Sequence, residues 1–125
     1  MNTLWEALGI SPEKVKSQYG VLEGVYLREL LRYPGDGSFR VLEEAVRGGR
    51  CEEIRQAAHA VKGLWRMLLM DDMAQAAQEI EACARAEDRQ GAAERMDGLR
   101  LKHEQMVARL VWWQKGGLED EDCCL

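Results

Sequence analysis

The residues best suited to chemistry lie close together between Ala57 and Trp65, in the order His59, Lys62 and Gly63. A neutral imidazole carries a nitrogen lone pair that can act as a nucleophile. Lys62 follows three residues later, so in a helix its ammonium would lie on the same face as His59. Gly63 would leave a gap in the side-chain surface beside them. The trio is therefore suited to handling an anionic phosphoryl group or to contacting a partner protein.

A helical pattern that runs from near Cys51 to about Leu69 must position this trio. Its apolar residues recur at spacings of three and four, which is the signature of one buried helix face; they are Ile54, Ala58, Val61, Trp65 and Leu68. Because an α-helix turns by about 100° per residue, His59 stands roughly 160° away from Val61. We therefore predict that the outward face carries His59, Lys62, Gly63 and Arg66.

Each of these residues also has an ordinary interpretation. An exposed His59 can be a solvated surface residue, and Lys62 a surface lysine. Glycine in a helix interior costs about 1 kcal/mol relative to alanine, so Gly63 needs a compensating use. That use is either the approach of a partner or a close crossing by another helix of the same chain. Arg55 and Arg66 share the face of His59, where they either assist an anion or remain solvated, Arg55 with Glu52 as a partner.

Turn signals divide the chain into amphipathic segments with short connections. Residues 2–9, 11–20 and about 22–33 precede a break at Pro34–Gly37 and are predicted to be helical. Four longer helices follow, over about 38–47, 51–69, 73–84 and 92–113, with Asp71 or Asp72 capping the third. Short connections imply antiparallel neighbours. We predict an all-α fold, an antiparallel up-down-up-down four-helix bundle with extra N-terminal helical segments.

We expect residues 1–115 to form one domain, in which helices within 1–33 cover a bundle formed by 37–115. Residues 116–125 are predicted to be a disordered acidic tail. His103 lies in the heptad seam of the last helix, so it should be buried or at a boundary. Met67 is predicted to fill the core, together with other methionines of the helices.

Composition and charge exclude several classes of protein. The net charge is −5, and residues 119–122 supply four of the negative charges, so the rest of the chain is nearly neutral. A nucleic-acid-binding domain would carry a basic surplus, so nucleic acid is not expected as a partner. No apolar run approaches the roughly 18 residues of a membrane span, and no secretory leader is visible. We expect a cytoplasmic monomer without membrane insertion.

The cysteines do not indicate a metal site or a disulfide framework. Cys51 and Cys83 lie in helical patterns, whereas Cys123 and Cys124 are adjacent in the tail, and no C-x-x-C pair is present. Reduced thiols are the default for such a chain. We therefore expect no metal and no cofactor.

The stretch His59-Ala60-Val61-Lys62-Gly63 resembles the H-x-x-K-G motif of histidine phosphotransfer (HPt) domains, the carriers of phosphorelays. The segments Tyr26–Leu31 and Val41–Val46 resemble the two preceding helices of that family, and Met73–Glu81 resembles the following one. The resemblance covers roughly residues 20 to 113.

The resemblance implies a phosphoryl carrier without kinase activity of its own. His59 would accept the phosphoryl group from the phospho-aspartate of a receiver domain and pass it to another receiver, with Lys62 offsetting its charge and Gly63 leaving room for the partner. That partner would be a response-regulator receiver domain or a hybrid sensor kinase, and the receiver would bring the divalent metal.

The chain departs from the family after Gly63, where small residues are usual. Here Leu64–Leu69 stand in their place, and Arg66 and Leu69 are predicted to lie on or near the outward face. With Arg55 they would form the partner-docking surface. These bulky residues either select one receiver or block phosphotransfer, and the second case gives the alternative function, a catalytically silent HPt-like module that docks receivers or other helices. A third hypothesis is a helical domain in which the motif is coincidental.

Overall fold

The computed structural model describes residues 8–114, and this part of the chain consists of helices joined by short turns. We number the α-helices from the first described one. They are α1 Pro12–Tyr19, α2 Glu23–Arg32, α3 Ser38–Gly48, α4 Cys51–Met67, α5 Asp71–Arg85 and α6 Arg89–Gln114, with 3-10 turns at Gly20–Leu22 and Tyr33–Gly35.

Residues 8–35 and 104–114 belong to one compact unit. Ser11 begins α1, and its hydroxyl accepts a hydrogen bond from the Lys14 N–H, with proline in the first turn as predicted. Tyr26 and Leu30 form the buried face of α2. The ring of Tyr26 packs against that of Tyr19 with centroids 4.8 Å apart, which ties α2 to the end of α1.

Residues 36–103 form the second unit, and it is a four-helix bundle made of α3, α4, α5 and the first half of α6. Short connections make consecutive helices antiparallel, and α4 packs against both α3 and α5. Ion pairs join α6 to its neighbours, from Arg100 to Glu43 of α3 at 2.9 Å and from Arg95 to Glu79 of α5 at 3.6 Å. The predicted fold class is confirmed.

Three aromatic rings fill one part of this bundle. Phe39 of α3 stacks on His103 of α6, with ring centroids 3.7 Å apart and planes 5° from parallel. Trp65 of α4 lies near both, and its side chain is completely buried. Burial lowers the pKa of His103, and the nearby negative charge of Glu43 only partly opposes this. His103 is thus the half-buried seam residue that the heptad pattern predicted.

Helices α4 and α5 each end in the same type of turn, in which a residue just after the helix adopts the left-handed backbone conformation. After α4, Leu69 has φ +61°, and the Met70 N–H donates to the Trp65 carbonyl at 2.8 Å. After α5, Glu87 has φ +59°, and the Asp88 N–H donates to the Cys83 carbonyl at 2.8 Å. This is the Schellman arrangement, in which glycine is the preferred residue at the left-handed position.

Several predictions about particular residues are wrong. Asp71 and Asp72 do not cap α5, because Met70 occupies the capping position and makes no side-chain hydrogen bond there. The two carboxylates lie in the first turn of α5, where their negative charges interact favourably with the helix dipole. Met67 is 64% exposed and does not fill the core, because it falls outside the buried stripe of α4.

The first predicted helix lies almost wholly outside the described residues, and so does the acidic tail at 116–125. The extent of a single domain over residues 1–115 stays a prediction. Between residues 8 and 114, no helix combines the length and apolar character that crossing a membrane requires.

Candidate functional site

Helix α4 is anchored by the buried face that lies opposite His59, and this fixes the position of the histidine. Ile54, Ala58, Val61 and Trp65 each have no accessible surface, as the spacing of apolar residues predicted. The His59 side chain, on the other side, retains 63% of its accessible surface. An imidazole at this place can be reached from solvent while the helix that carries it is fixed by its core.

Glu81, on the neighbouring helix α5, holds the imidazole of His59 in place. Oε2 of Glu81 lies 3.0 Å from Nδ1 of His59, and Oε1 of Glu81 accepts a hydrogen bond from Nζ of Lys62 at 2.6 Å. Nη2 of Arg85, one turn along α5, donates to Oε2 at 3.1 Å. The Glu81 side chain is only 3% exposed, so these contacts provide most of its solvation.

The charges at Glu81 determine which nitrogen of His59 is reactive. Burial raises the pKa of Glu81, but the hydrogen bonds from Lys62 and His59 and the positive charge of Arg85 outweigh burial, and the net pKa lies below its usual value. At neutral pH Glu81 is therefore an ionised carboxylate, which can only accept hydrogen bonds. Nδ1 of His59 must carry the hydrogen, and in the neutral ring this leaves the lone pair on Nε2, away from Glu81.

Lys62 is less accessible than the helical pattern suggested. Its side chain is 13% exposed, because it leans from α4 toward α5 and binds Glu81. The ammonium therefore lies beside the imidazole in a fixed position. It can attract an anion at His59 without being a mobile surface charge.

Gly63 leaves open space on the same face. A Cβ atom added to Gly63 would meet no atom within 4 Å. The interpretation of Gly63 as a crossing point for another helix is therefore wrong within the described residues. The gap faces outward, where an approaching molecule can use it.

The predicted docking residues differ in where they lie. Arg55 is half-buried and paired with Glu52, its Nη2 donating to Oε1 at 2.6 Å. Arg66 is exposed, and its Nη2 donates to Oε1 of Gln78 at 2.8 Å. Leu69 is 3% exposed, so its predicted place on the outward face is wrong. The left-handed turn that ends α4 redirects the chain at Leu69 and directs its side chain into the interior.

Sequence reasoning did not single out Glu81 or Arg85. Glu81 lies 22 residues from His59, and a glutamate in a helix normally faces solvent. A signal was nevertheless present, because Glu81 stands between Ile80 and Ala84 and four residues after Ala77, all of them buried. An acidic residue within the phase of a buried stripe needs charged partners, and His59, Lys62 and Arg85 supply them.

No cluster of three histidine, cysteine or acidic side chains that would suit a metal ion occurs in the described part of the chain. The contacts described above give a site made of an oriented imidazole, with a fixed ammonium and an open gap beside it.

Comparison with known protein families places these helices in context. The Hpt domain family matches residues 27–110, which includes the whole of α3, α4 and α5 and thus both helices of the site. Neither the curated proteins nor the solved structures give a match. Hpt domains are histidine phosphotransfer carriers of phosphorelays, and in general they are not autonomous enzymes. Because the match spans most of the chain, this protein belongs to the Hpt domain family.

Proposed function

We propose that this protein carries a phosphoryl group on Nε2 of His59, accepting it from the phospho-aspartate of one receiver domain and passing it to another. The observation that carries the proposal is the contact between Nδ1 of His59 and the ionised Glu81, because it leaves a lone pair on an exposed ring nitrogen. The receivers belong to response regulators or to hybrid sensor kinases, and we place the exchange in the cytoplasm.

The transfer step uses groups already in position. The Nε2 lone pair attacks phosphorus while the bond between phosphorus and the aspartyl carboxyl oxygen breaks. The electron pair of that bond stays on the oxygen, so the aspartate leaves as a carboxylate. A nitrogen–phosphorus bond forms, Nδ1 keeps its proton, and the ring becomes positively charged. Glu81 faces that positive charge at 3.0 Å, so its carboxylate stabilises the ring as charge develops. Passing the group on is the same step in reverse.

Lys62 and Gly63 support the incoming group in different ways. The transferring phosphoryl group spreads negative charge over its oxygens, and a nearby cation lowers the energy of that arrangement. Lys62 is held next to the imidazole by Glu81, so its position is set before the donor arrives. The open space at Gly63 allows the donor's surface to approach the helix closely enough for in-line attack.

The test is transfer of radiolabel from phosphorylated receiver domains of the same genome to the wild type, His59→Gln and His103→Gln. These are the two histidines of the chain. We expect label on the wild type and on His103→Gln, provided circular dichroism shows that variant to be folded, and none on His59→Gln. Label on His59→Gln, or none on the wild type from any receiver, would overturn the proposal.

The exposed bulk after Gly63 favours a second candidate function. Arg66 and Met67 extend from the same end of α4, and Met67 is 64% exposed. If they prevent in-line approach, the protein docks a receiver without chemistry. Measurable binding of a receiver that never transfers label to the wild type would support this candidate.

A further inference from the structure

A groove of about 640 Å³ opens between α4 and α5, directly beside the site of His59. It shares Lys62 and Glu81 with that site and continues along the two helices past Arg66 and Arg85. The small side chains of Ala82 and Ala86 form part of its lining and leave room between the longer ones.

The groove is positively charged, although the chain as a whole carries a net charge of −5. Three of its lining residues are cations, Lys62, Arg66 and Arg85, and its one carboxylate is Glu81. That carboxylate is 3% exposed and already accepts hydrogen bonds from Lys62 and Arg85. A group that enters the groove therefore contacts the cations first, whereas the negative charge of Glu81 is buried beneath them.

Arg66 is the cation of this groove that Glu81 does not hold. Its hydrogen bond goes to the neutral amide of Gln78, which fixes the guanidinium across the groove without neutralising it. The side chain of Arg85 is 63% exposed and lies on the opposite wall. A guanidinium offers a planar pair of N–H groups that match the two oxygens of a carboxylate.

Arg66 also lies where a protein docked on His59 must reach. It follows His59 by seven residues, which is two helical turns, so both side chains share one face at roughly 10 Å along the axis. Met67, 64% exposed beside it, offers an apolar contact next to the charged one. A partner that covers His59 will cover this end of α4 as well.

We infer that the groove receives an acidic side chain, Asp or Glu, from the surface of the receiver domain that docks on His59, and that Arg66 discriminates among receivers by that contact. The inference rests on the proposed function and extends it to the choice of partner. A receiver with a carboxylate opposite Arg66 gains a charge-assisted pair, whereas a receiver with a lysine or arginine there meets like charge.

The experiment compares Arg66→Gln and Arg66→Glu with the wild type and with Arg47→Glu. Arg47 is exposed on α3 outside the groove, so its replacement changes the net charge equally. Transfer rates are measured from the genome's own receiver that loads the wild type fastest, at low and at high salt. Phosphoramidate serves as a small donor that has no protein surface.

We expect Arg66→Gln to slow transfer from that receiver about fivefold and Arg66→Glu about thirtyfold, with smaller effects at high salt. Loading by phosphoramidate should stay within about twofold of the wild type, and so should transfer to Arg47→Glu. A receiver variant in which one surface carboxylate is replaced by lysine should restore transfer to Arg66→Glu.

The outcomes separate the two proposals. If the receiver loads the wild type and Arg66→Glu at the same rate, the groove does not select partners, and the carrier function stands. If no receiver loads the wild type, even though phosphoramidate does, the carrier function fails and the inference fails with it. Slow transfer to Arg47→Glu as well would show that only net charge matters, which also overturns the role of Arg66.

Discussion

Nδ1 of His59 and Oε2 of Glu81 lie 3.0 Å apart, on two helices whose residues are separated by 22 positions in the sequence. The carboxylate is buried and ionised, and the imidazole is exposed. Glu81 therefore fixes the tautomer of the ring from the protein side, and Nε2 stays available on the solvent side.

Replacing Glu81 with glutamine should slow phosphorylation of His59 while leaving the protein folded. A glutamine oxygen can still accept from Nδ1, but it cannot balance the positive ring. Hydrogen bonds to charged groups contribute about 1 kcal/mol more than neutral ones, which corresponds to roughly a fivefold change in rate. The measurement is the rate of loading by phosphoramidate, a donor that does not depend on docking.

The tautomer provides an independent readout of the same contact. Nitrogen-15 spectra of the wild type should show the proton on Nδ1 of neutral His59, and Glu81→Ala should show a mixture that favours Nε2. An unchanged spectrum in Glu81→Ala would mean that Glu81 does not determine the tautomer.

Gly63→Ala should make the protein more stable and the carrier slower. The added methyl group meets open space, so the helix gains up to about 1 kcal/mol from the higher propensity of alanine. The same methyl group fills part of the gap that a receiver would use, so transfer from a receiver should slow. Thermal unfolding and transfer rates measure the two effects.

Gly98→Ala is the matched control for Gly63→Ala. Gly98 is an exposed glycine in α6, and a Cβ atom there also meets nothing within 4 Å. It should give a similar gain in stability with no change in transfer. Equal transfer to the wild type and Gly63→Ala would remove the functional explanation for Gly63.

Glu87→Gly should stabilise the protein by about 1 kcal/mol, because a left-handed residue other than glycine is strained by that order. Glu87 is exposed with φ +59°, so its side chain loses little packing when it is removed. Denaturant unfolding gives the free energy directly. Glu87→Ala keeps the strain and should give no gain.

Leu69→Gly is the informative contrast, since Leu69 has φ +61° but is buried. Relief of strain contributes about 1 kcal/mol, whereas truncating a buried leucine costs about 2–5 kcal/mol. We therefore expect net destabilisation. A more stable Leu69→Gly protein would show that this side chain contributes little to the core.

Stability should fall as the pH decreases through the titration of His103. Burial lowers the pKa of His103 below the ordinary 6.5, so the folded protein binds this proton less readily than the unfolded chain does. The contribution of His103 to the free energy of unfolding is therefore largest above about pH 6.5, decreases as the pH falls toward its folded-state pKa, and changes no further below it. His103→Leu should show a smaller decrease than the wild type over the same range, and parallel curves would contradict the prediction.

The features that could be predicted from the sequence are those determined by residues close to one another in the chain. The buried stripe of α4 and the outward direction of His59 both follow from a period of 3.6 residues. Ser11 is predictable as a cap because serine before proline is a local signal. In each case, the residues that determine the structure lie within about one or two turns of each other.

The rest depended on contacts between segments that are distant in sequence. Glu81 and Lys62 meet only because α5 packs against α4 in a particular register, and no pattern within either helix specifies that register. The helical pattern places Leu69 on the outward face only if the helix continues to it, whereas a left-handed turn begins there. The residue type of Met67 predicts a place in the core, although the phase of the helix puts its side chain outside.

The support of His59 by Glu81 limits how the site can be transplanted into another protein. A designer who copies only the five residues from His59 to Gly63 onto a foreign helix would obtain an imidazole with no fixed tautomer and a lysine with no anchor. The smallest portable unit is the hairpin of α4 and α5 with its intervening turn, Cys51 to Arg85, because it alone brings both halves of the contact together.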